Sequence, residues 1–195
     1  MKKILVTGFE PFAQDEVNPS WQLVQALPDQ IGGCQIIKKE IPVIFQDGAM
    51  EILKVAREEN PDLIICCGYH AGAQKLHLEY CALNLMQARI PDNAGNQPLE
   101  KRIAPEGPFA MQTRLPVFEL EKVLNEAGIP AMVSYSAGTY VCNDVMYRIV
   151  SYCQAMNIPG GFIHIPPFGE NTLLLPSALE GLILIMKTLI IQDNK

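Results

Sequence analysis

The sequence predicts an α/β fold formed by one domain, on three observations. Short apolar runs of strand length alternate with segments whose apolar residues recur at helical spacing. One of those runs, Leu63 to Cys67, is unbroken, as expected of a central strand covered on both faces. The chain has 195 residues and no linker or internal repeat, which suits a single domain spanning 1–195.

Element by element, Ile4 to Val6 is a first strand, ended at Gly8, and 9–19 reads as a loop rich in turn formers. Ser20 to Leu27 is a short helix closed by Pro28, and Gln35 to Ile41 is a strand. Ile44, Met50, Ile52, Leu53 and Ala56 give helical spacing before Asn60-Pro61. Leu63 to Cys67 follows, then a loop over 68–73, then an extended and partly alternating segment, Leu76 to Leu85. The stretch 91–108 is punctuated by glycine, asparagine and proline and is expected to be irregular. A stretch of that length inside a compact domain is usually functional. Val117 to Ala127 is a helix stopped by Gly128, and Ala131 to Tyr135 is a strand. Thr139 to Met156 is a helix with Thr139 as N-cap, Gly161 to Ile165 is a strand closed by Pro166-Pro167, and Ser177 to Ile191 is the last helix.

Composition narrows the function. Hydrophobic residues make up 49%, enough for a core without metal or disulfide staples. The formal net charge of −6, with basic residues scattered and never more than two in a row, argues against a nucleic-acid partner. The apolar run after Lys2-Lys3 is too short for a signal core, and the apolar stretch 182–191 is too short to span a bilayer. Neither a secreted nor a membrane protein is expected; the six cysteines then read as reduced thiols in a cytoplasmic protein. No Cys-x-x-Cys pair occurs, and the adjacent Cys66-Cys67 lie in an apolar strand-like run, so a zinc site is poorly supported.

Cys142 stands out among the thiols. It falls in the first turn of a predicted helix, where unpaired amides and the helix dipole favour a thiolate and offer an oxyanion hole. A small buried hydrophobe is the alternative. A thiol nucleophile needs a proton donor for its leaving group, and histidine suits neutral pH. Of His70, His77 and His164, the last lies at the carboxyl end of a strand, where α/β sheets build their sites. Two carboxylates qualify to orient it. Glu79 stands alone among apolar neighbours, and Asp92 lies in the long irregular stretch, where an ion pair with Arg89 is the structural alternative.

Four blocks in order give the chain a further, more specific character. They are Val6-Thr7-Gly8-Phe9-Glu10-Pro11-Phe12 with Asn18-Pro19-Ser20; Glu79 with 88–93, Gly95, Gln97 and Pro98; 136–143 around Cys142; and Phe162-Ile163-His164-Ile165-Pro166. Together they resemble the pyrrolidone-carboxylate peptidases (pyroglutamyl peptidase I) over nearly the whole chain. The resemblance implies a three-layer α/β/α domain with a mixed, mostly parallel sheet, and a homo-oligomer, tetrameric or dimeric. It implies a cysteine peptidase acting on N-terminally pyroglutamylated peptides through a thioester, with no cofactor. Cys142 matches the nucleophile, His164 the base and Glu79 the active-site glutamate, with Asp92 and Arg89 in support. Phe9 and Phe12 match aromatic residues flanking the ring, and Asn18, Tyr69, Ile90 and Val141 are further expected substrate contacts.

The chain departs from the family pattern at two places. Gly68-Tyr69-His70-Ala71-Gly72 replaces the usual Gly-Gln-Ala-Gly-Gly, and Glu79-Tyr80 replaces Glu-Arg. These changes motivate a second reading, a thiol amidase for another small cyclic or blocked acyl group. A third reading, a non-catalytic binding protein on the same fold, is opposed by the presence of Cys142, His164 and Glu79. A nucleoside-handling enzyme lacks support because no phosphate-binding glycine loop is present.

Overall fold

A computed structural model describes residues 1–192. Its elements run β1 (Lys3–Phe9), α1 (Pro19–Gln25), β2 (Gln30–Ile31), β3 (Cys34–Ile41), α2 (Asp47–Glu59), β4 (Leu63–Tyr69), β5 (Leu76–Glu79) and β6 (Cys81–Leu83). They continue with β7 (Ala110–Gln112), α3 (Val117–Glu126), β8 (Ala131–Ser134), α4 (Val141–Met156), β9 (Gly160–Ile165) and α5 (Leu175–Gln192). Seven strands make one sheet in the order β2-β3-β1-β4-β9-β5-β8, and β6 and β7 form a small separate ribbon. From β3 through β9 neighbouring strands are parallel; β5 then runs antiparallel to β9, with β8 parallel to β5. The sheet is therefore mixed and mostly parallel.

Two hydrophobic clusters lie on its two faces. In β4, Leu63, Ile65 and Cys67 point into one and Ile64 and Cys66 into the other. This period of two explains why the run is apolar throughout: helices cover both sides. One cluster takes residues of α1, α3 and α5, the other residues of α2 and α4. On β9, Ile163 and Ile165 join the first cluster and Phe162 the second. Alternation along the strand then puts His164 on the α2 and α4 side, at the strand's carboxyl end.

Three local expectations are corrected. The extended segment 76–85 is two strands in two sheets. The Tyr80 amide still donates to Ser134 O at 2.7 Å, but its carbonyl accepts from Thr113 N at 2.8 Å, and the chain leaves the main sheet to pair with β7. Thr139 is not the N-cap of α4. Its hydroxyl donates to Gln87 O at 2.9 Å, and Tyr140 caps the helix in an extended conformation without a side-chain bond. The last helix starts at Leu175, because Pro176 suits a first turn, whose amides lack acceptors in any case.

Asn143 locks the start of α4 to β6. Its Oδ1 accepts from Leu83 N at 2.8 Å, and its Nδ2 donates to Leu83 O and Leu85 O, both at 2.9 Å; the side chain is fully buried. Asn143→Ala strips three partly buried backbone groups of their partner. It is expected to cost about 2–4 kcal/mol, read as a lower denaturant midpoint with an unchanged slope.

Candidate active site

One cavity of about 810 Å³ opens where β4 and β9 end and the antiparallel β5 begins, beside the start of α4. Its walls include Cys142, His164, Glu79 and Arg89, together with Phe9, Phe12, Asn18, Tyr69, Ile90 and Val141. Ten of the eleven residues singled out in the sequence thus meet at one place, and Asp92 is absent from the walls.

Cys142 is the second residue of α4. Gly138, at φ +80°, turns the chain before the helix in a conformation that favours glycine. Among the described residues, the amides of Val141 and Cys142 make no backbone hydrogen bond, whereas those of Asn143 and Asp144 both reach Tyr140 O. Two free N–H groups and the positive end of a sixteen-residue helix therefore surround the sulfur. The sulfur owes its position partly to Gly68. A Cβ there would lie 3.0 Å from Cys142 Sγ and 2.6 Å from the Phe162 ring, so only a bare backbone lets thiol, ring and strand coexist.

His164 is the register partner of Gly68 across β4 and β9. Its Nδ1 lies 2.7 Å from Glu79 Oε1, and both side chains are buried. Glu79 Oε2 is buried without a partner among the described residues. Burial opposes charge on the imidazole. The Cys142 thiolate, by charge and by hydrogen bonding, outweighs that with the help of Glu79, and the imidazole pKa stands raised to about 10. At neutral pH His164 is therefore held as an imidazolium beside the Cys142 sulfur, with a proton to give to a leaving group.

The other thiols differ. Burial pushes Cys66 and Cys153 up to about 12, and pushes Cys67 higher still. Cys81 is half-buried and also raised by burial. Cys34 is buried. Cys142 alone combines partial exposure with a facing imidazole.

Asp92 spends its oxygens on its own loop and on the segment ahead of α2. It accepts from the amides of Phe45 (2.9 Å), Ala94 (2.9 Å) and Asn96 (2.8 Å) and from Asn96 Nδ2 (3.0 Å). Burial works against its ionisation, yet these four bonds hold the carboxyl below its usual range. The carboxylate bonded to His164 is Glu79. Asp92 shapes the loop that presents Arg89 and Ile90 to the cavity, and the ion pair between Asp92 and Arg89 does not form.

At the aromatic end, Phe9 is held by the turn into α1. Its amide donates to Ser20 Oγ at 3.0 Å, and Ser20 is in turn bonded to Asn18 Oδ1. Asn18 also caps α1 and donates to Glu10 O at 2.9 Å, so its amide is largely committed to the scaffold. Phe12 packs edge-on against Tyr140, with ring centroids 5.8 Å apart. Tyr140 is a wall residue beyond those expected from the sequence, where an aromatic residue just before a helix start is its only sign. His70 and His77, disfavoured as bases by their places in the sequence, also line the cavity.

The pyroglutamyl peptidase family model matches residues 2–181. The pyrrolidone-carboxylate peptidase of Thermosipho melanesiensis is 42% identical over 174 residues, covering 88% of this chain and 86% of its own. That of Enterococcus faecalis is 39% identical over 177 residues, covering 90% and 83%. The crystal structure of pyroglutamyl peptidase I from Bacillus amyloliquefaciens superposes with a TM-score of 0.92 at 37% identity, covering 97% of both chains. The pyrrolidone carboxyl peptidase of Thermococcus litoralis superposes at 0.94 with 31% identity, covering 100% of this chain and 97% of the other.

Proposed function

Because the chain belongs to the pyroglutamyl peptidase family of cysteine-type hydrolases, we propose that Cys142, His164 and Glu79 carry out its reaction, cleavage of the amide bond after an N-terminal pyroglutamyl residue. The observation that carries this assignment is the continuous line of contacts from thiol to imidazole to buried carboxylate on the wall of one cavity.

The Cys142 thiolate attacks the pyroglutamyl carbonyl carbon, and the carbonyl electrons move onto oxygen. The free amides at the start of α4 face that developing negative charge. Collapse of the tetrahedral adduct expels the amine, which takes its proton from the His164 imidazolium. The neutral imidazole then removes a proton from water, which attacks the thioester; collapse of this second adduct expels the Cys142 thiolate and releases the free acid, leaving His164 as the imidazolium. Glu79 Oε1, at 2.7 Å, keeps Nδ1 occupied and so directs Nε2 toward the reacting atoms. Asp92 acts on the site through its loop, and Arg89 through the wall it lends the cavity.

Pyroglutamate is a neutral lactam with apolar ring faces and a polar edge. Phe9, Phe12 and Tyr140 offer the faces, with Ile90 and Val141 completing the wall. A panel of fluorogenic pyroglutamyl, prolyl and glutaminyl amides tests the assignment. The pyroglutamyl amide is expected to lead the prolyl one by roughly 10²-fold or more in kcat/KM, because a site built to bond the lactam edge rejects a ring without it. Equal turnover of the glutaminyl amide would favour the broader thiol-amidase reading that Tyr69 motivates. Exposed Phe118 on α3, Met132 on the edge strand β8 and Tyr135 just beyond it support assembly with further copies of the chain. All six cysteines are free, which supports a reducing compartment. No helix among the described residues is long and apolar enough to cross a membrane.

A further inference from the structure

All three histidines of the chain gather at one end of the cavity. His77 on β5 is the antiparallel register partner of His164 on β9, so their side chains leave the same face of the sheet. His70, one residue beyond β4, lays its ring between them, with centroids 5.3 Å from His77 and 5.6 Å from His164. The mechanism uses only His164. The side chain of His70 is exposed and lines the cavity.

The chemistry of the step says what passes over these rings. The nitrogen that His164 protonates belongs to the first residue of the departing peptide. That residue therefore lies over His164, with His70 and His77 beside it, while the acyl ring lies toward Phe9, Phe12 and Tyr140. The volume supports two occupants, since cavities of roughly 300–1,000 Å³ hold whole drug-sized molecules and a small lactam leaves much of 810 Å³ unfilled. Glu79 is the acid that acts on His77, more strongly than Lys75 does, but it is buried and already bonded to His164. Asp15, the other acidic wall residue, is tied by its amide to Phe12 O at the aromatic end.

Resting on the peptidase reading, we propose that His70 and His77 form a leaving-side subsite that selects a carboxylate on the residue following the pyroglutamyl unit. Two imidazole N–H donors on the cavity wall supply the recognition. The groups that face the pair are Glu79 on β5, His164 on β9 and Lys75 ahead of β5, with Cys142 on α4 facing His164. Burial foremost holds both imidazoles below their ordinary range, so the subsite gains charge as pH falls and selects the carboxylate more strongly in acid.

The test compares kcat/KM for pyroglutamyl-glutamyl amide, pyroglutamyl-glutaminyl amide and pyroglutamyl-glutamine with a free carboxyl terminus. The first two are near-isosteric, and the third moves the carboxylate from side chain to main chain. At about pH 6 the carboxylate-bearing peptides are expected to lead the glutaminyl amide by roughly fivefold, with the lead shrinking toward about pH 8. Whichever of the two leads by more identifies the carboxylate that the subsite reads. In a His70→Ala/His77→Ala double variant the ratio should fall to about one, whatever happens to the absolute rates. A parent ratio of one, or a lead that is independent of pH and survives the double substitution, overturns the proposal. If the double variant does not fold, the pH dependence of the parent ratio decides. Failure of the parent to cleave any of the three would overturn the peptidase reading instead, and the subsite with it.

Discussion

Replacing Cys142 by alanine is expected to lower kcat/KM for a pyroglutamyl fluorophore amide by roughly 10⁴-fold or more, with little change in stability. The size follows from chemistry: without sulfur no thioester forms, and the remaining amides and imidazole assist only a direct attack by water. The stability expectation follows from position. Cys142 is half-buried at a helix start, and its loss leaves no partly buried backbone group unpaired, unlike the loss of Asn143 one residue later. Alanine also removes the thiolate that does most to favour the His164 imidazolium. The imidazole of the variant should then titrate below the raised value of about 10, visible in the pH dependence of its ring-proton resonance. Wild-type turnover by Cys142→Ala would dismiss the nucleophile outright.

Glu79→Gln is expected to be the second most damaging change, lowering kcat/KM by roughly 10²–10⁴-fold. The substitution keeps the volume but replaces an anion by a neutral amide. Glutamine can still accept from Nδ1–H through its carbonyl. It can equally turn its NH₂ toward a bare Nδ1, which stabilises the wrong tautomer, and it no longer stabilises the imidazolium. Two effects should move together: the His164 pKa falls, and the loss appears in kcat more than in KM, because Glu79 sits behind the histidine. Glu79→Ala should in addition destabilise the fold, since it strands a buried imidazole. Asp92→Asn is a useful contrast. It weakens loop bonds from Phe45, Ala94 and Asn96, so it should act on stability and KM and leave the His164 titration alone.

Much of this arrangement is legible in the sequence, and the physical reasons differ from place to place. β4 is visible because a strand buried on both faces must be apolar throughout. The start of α4 is visible to within two residues because glycine, a polar residue and an apolar periodicity follow one another. The capping residue was not visible. A threonine hydroxyl serves a helix end or a loop carbonyl equally well, and here it goes to Gln87 O, 52 residues away in the chain. The break after Glu79 was hidden because the partner of β6 is β7, beyond the long irregular stretch, and no local pattern reports a distant edge. The choice between Glu79 and Asp92 could not be made from spacing. It depends on which carboxylate has already spent its oxygens on nearby amides, and Asp92 has. The histidine cluster was hidden for a similar reason. That His77 faces the same way as His164 follows from an antiparallel register between β5 and β9, and that register is a tertiary fact.

The central claim is that one thiol out of six performs the chemistry, and stoichiometric alkylation tests it most directly. The native protein is treated near neutral pH with a slight excess of a small haloacetamide, and samples are withdrawn for residual pyroglutamyl-amide hydrolysis and for peptide mapping of every cysteine. The account predicts that activity falls in proportion to modification of Cys142, that the four buried thiols remain intact, and that the half-buried Cys81 reacts slowly without consequence. Full modification of Cys142 with hydrolysis retained, or inactivation that tracks any other cysteine, would contradict it.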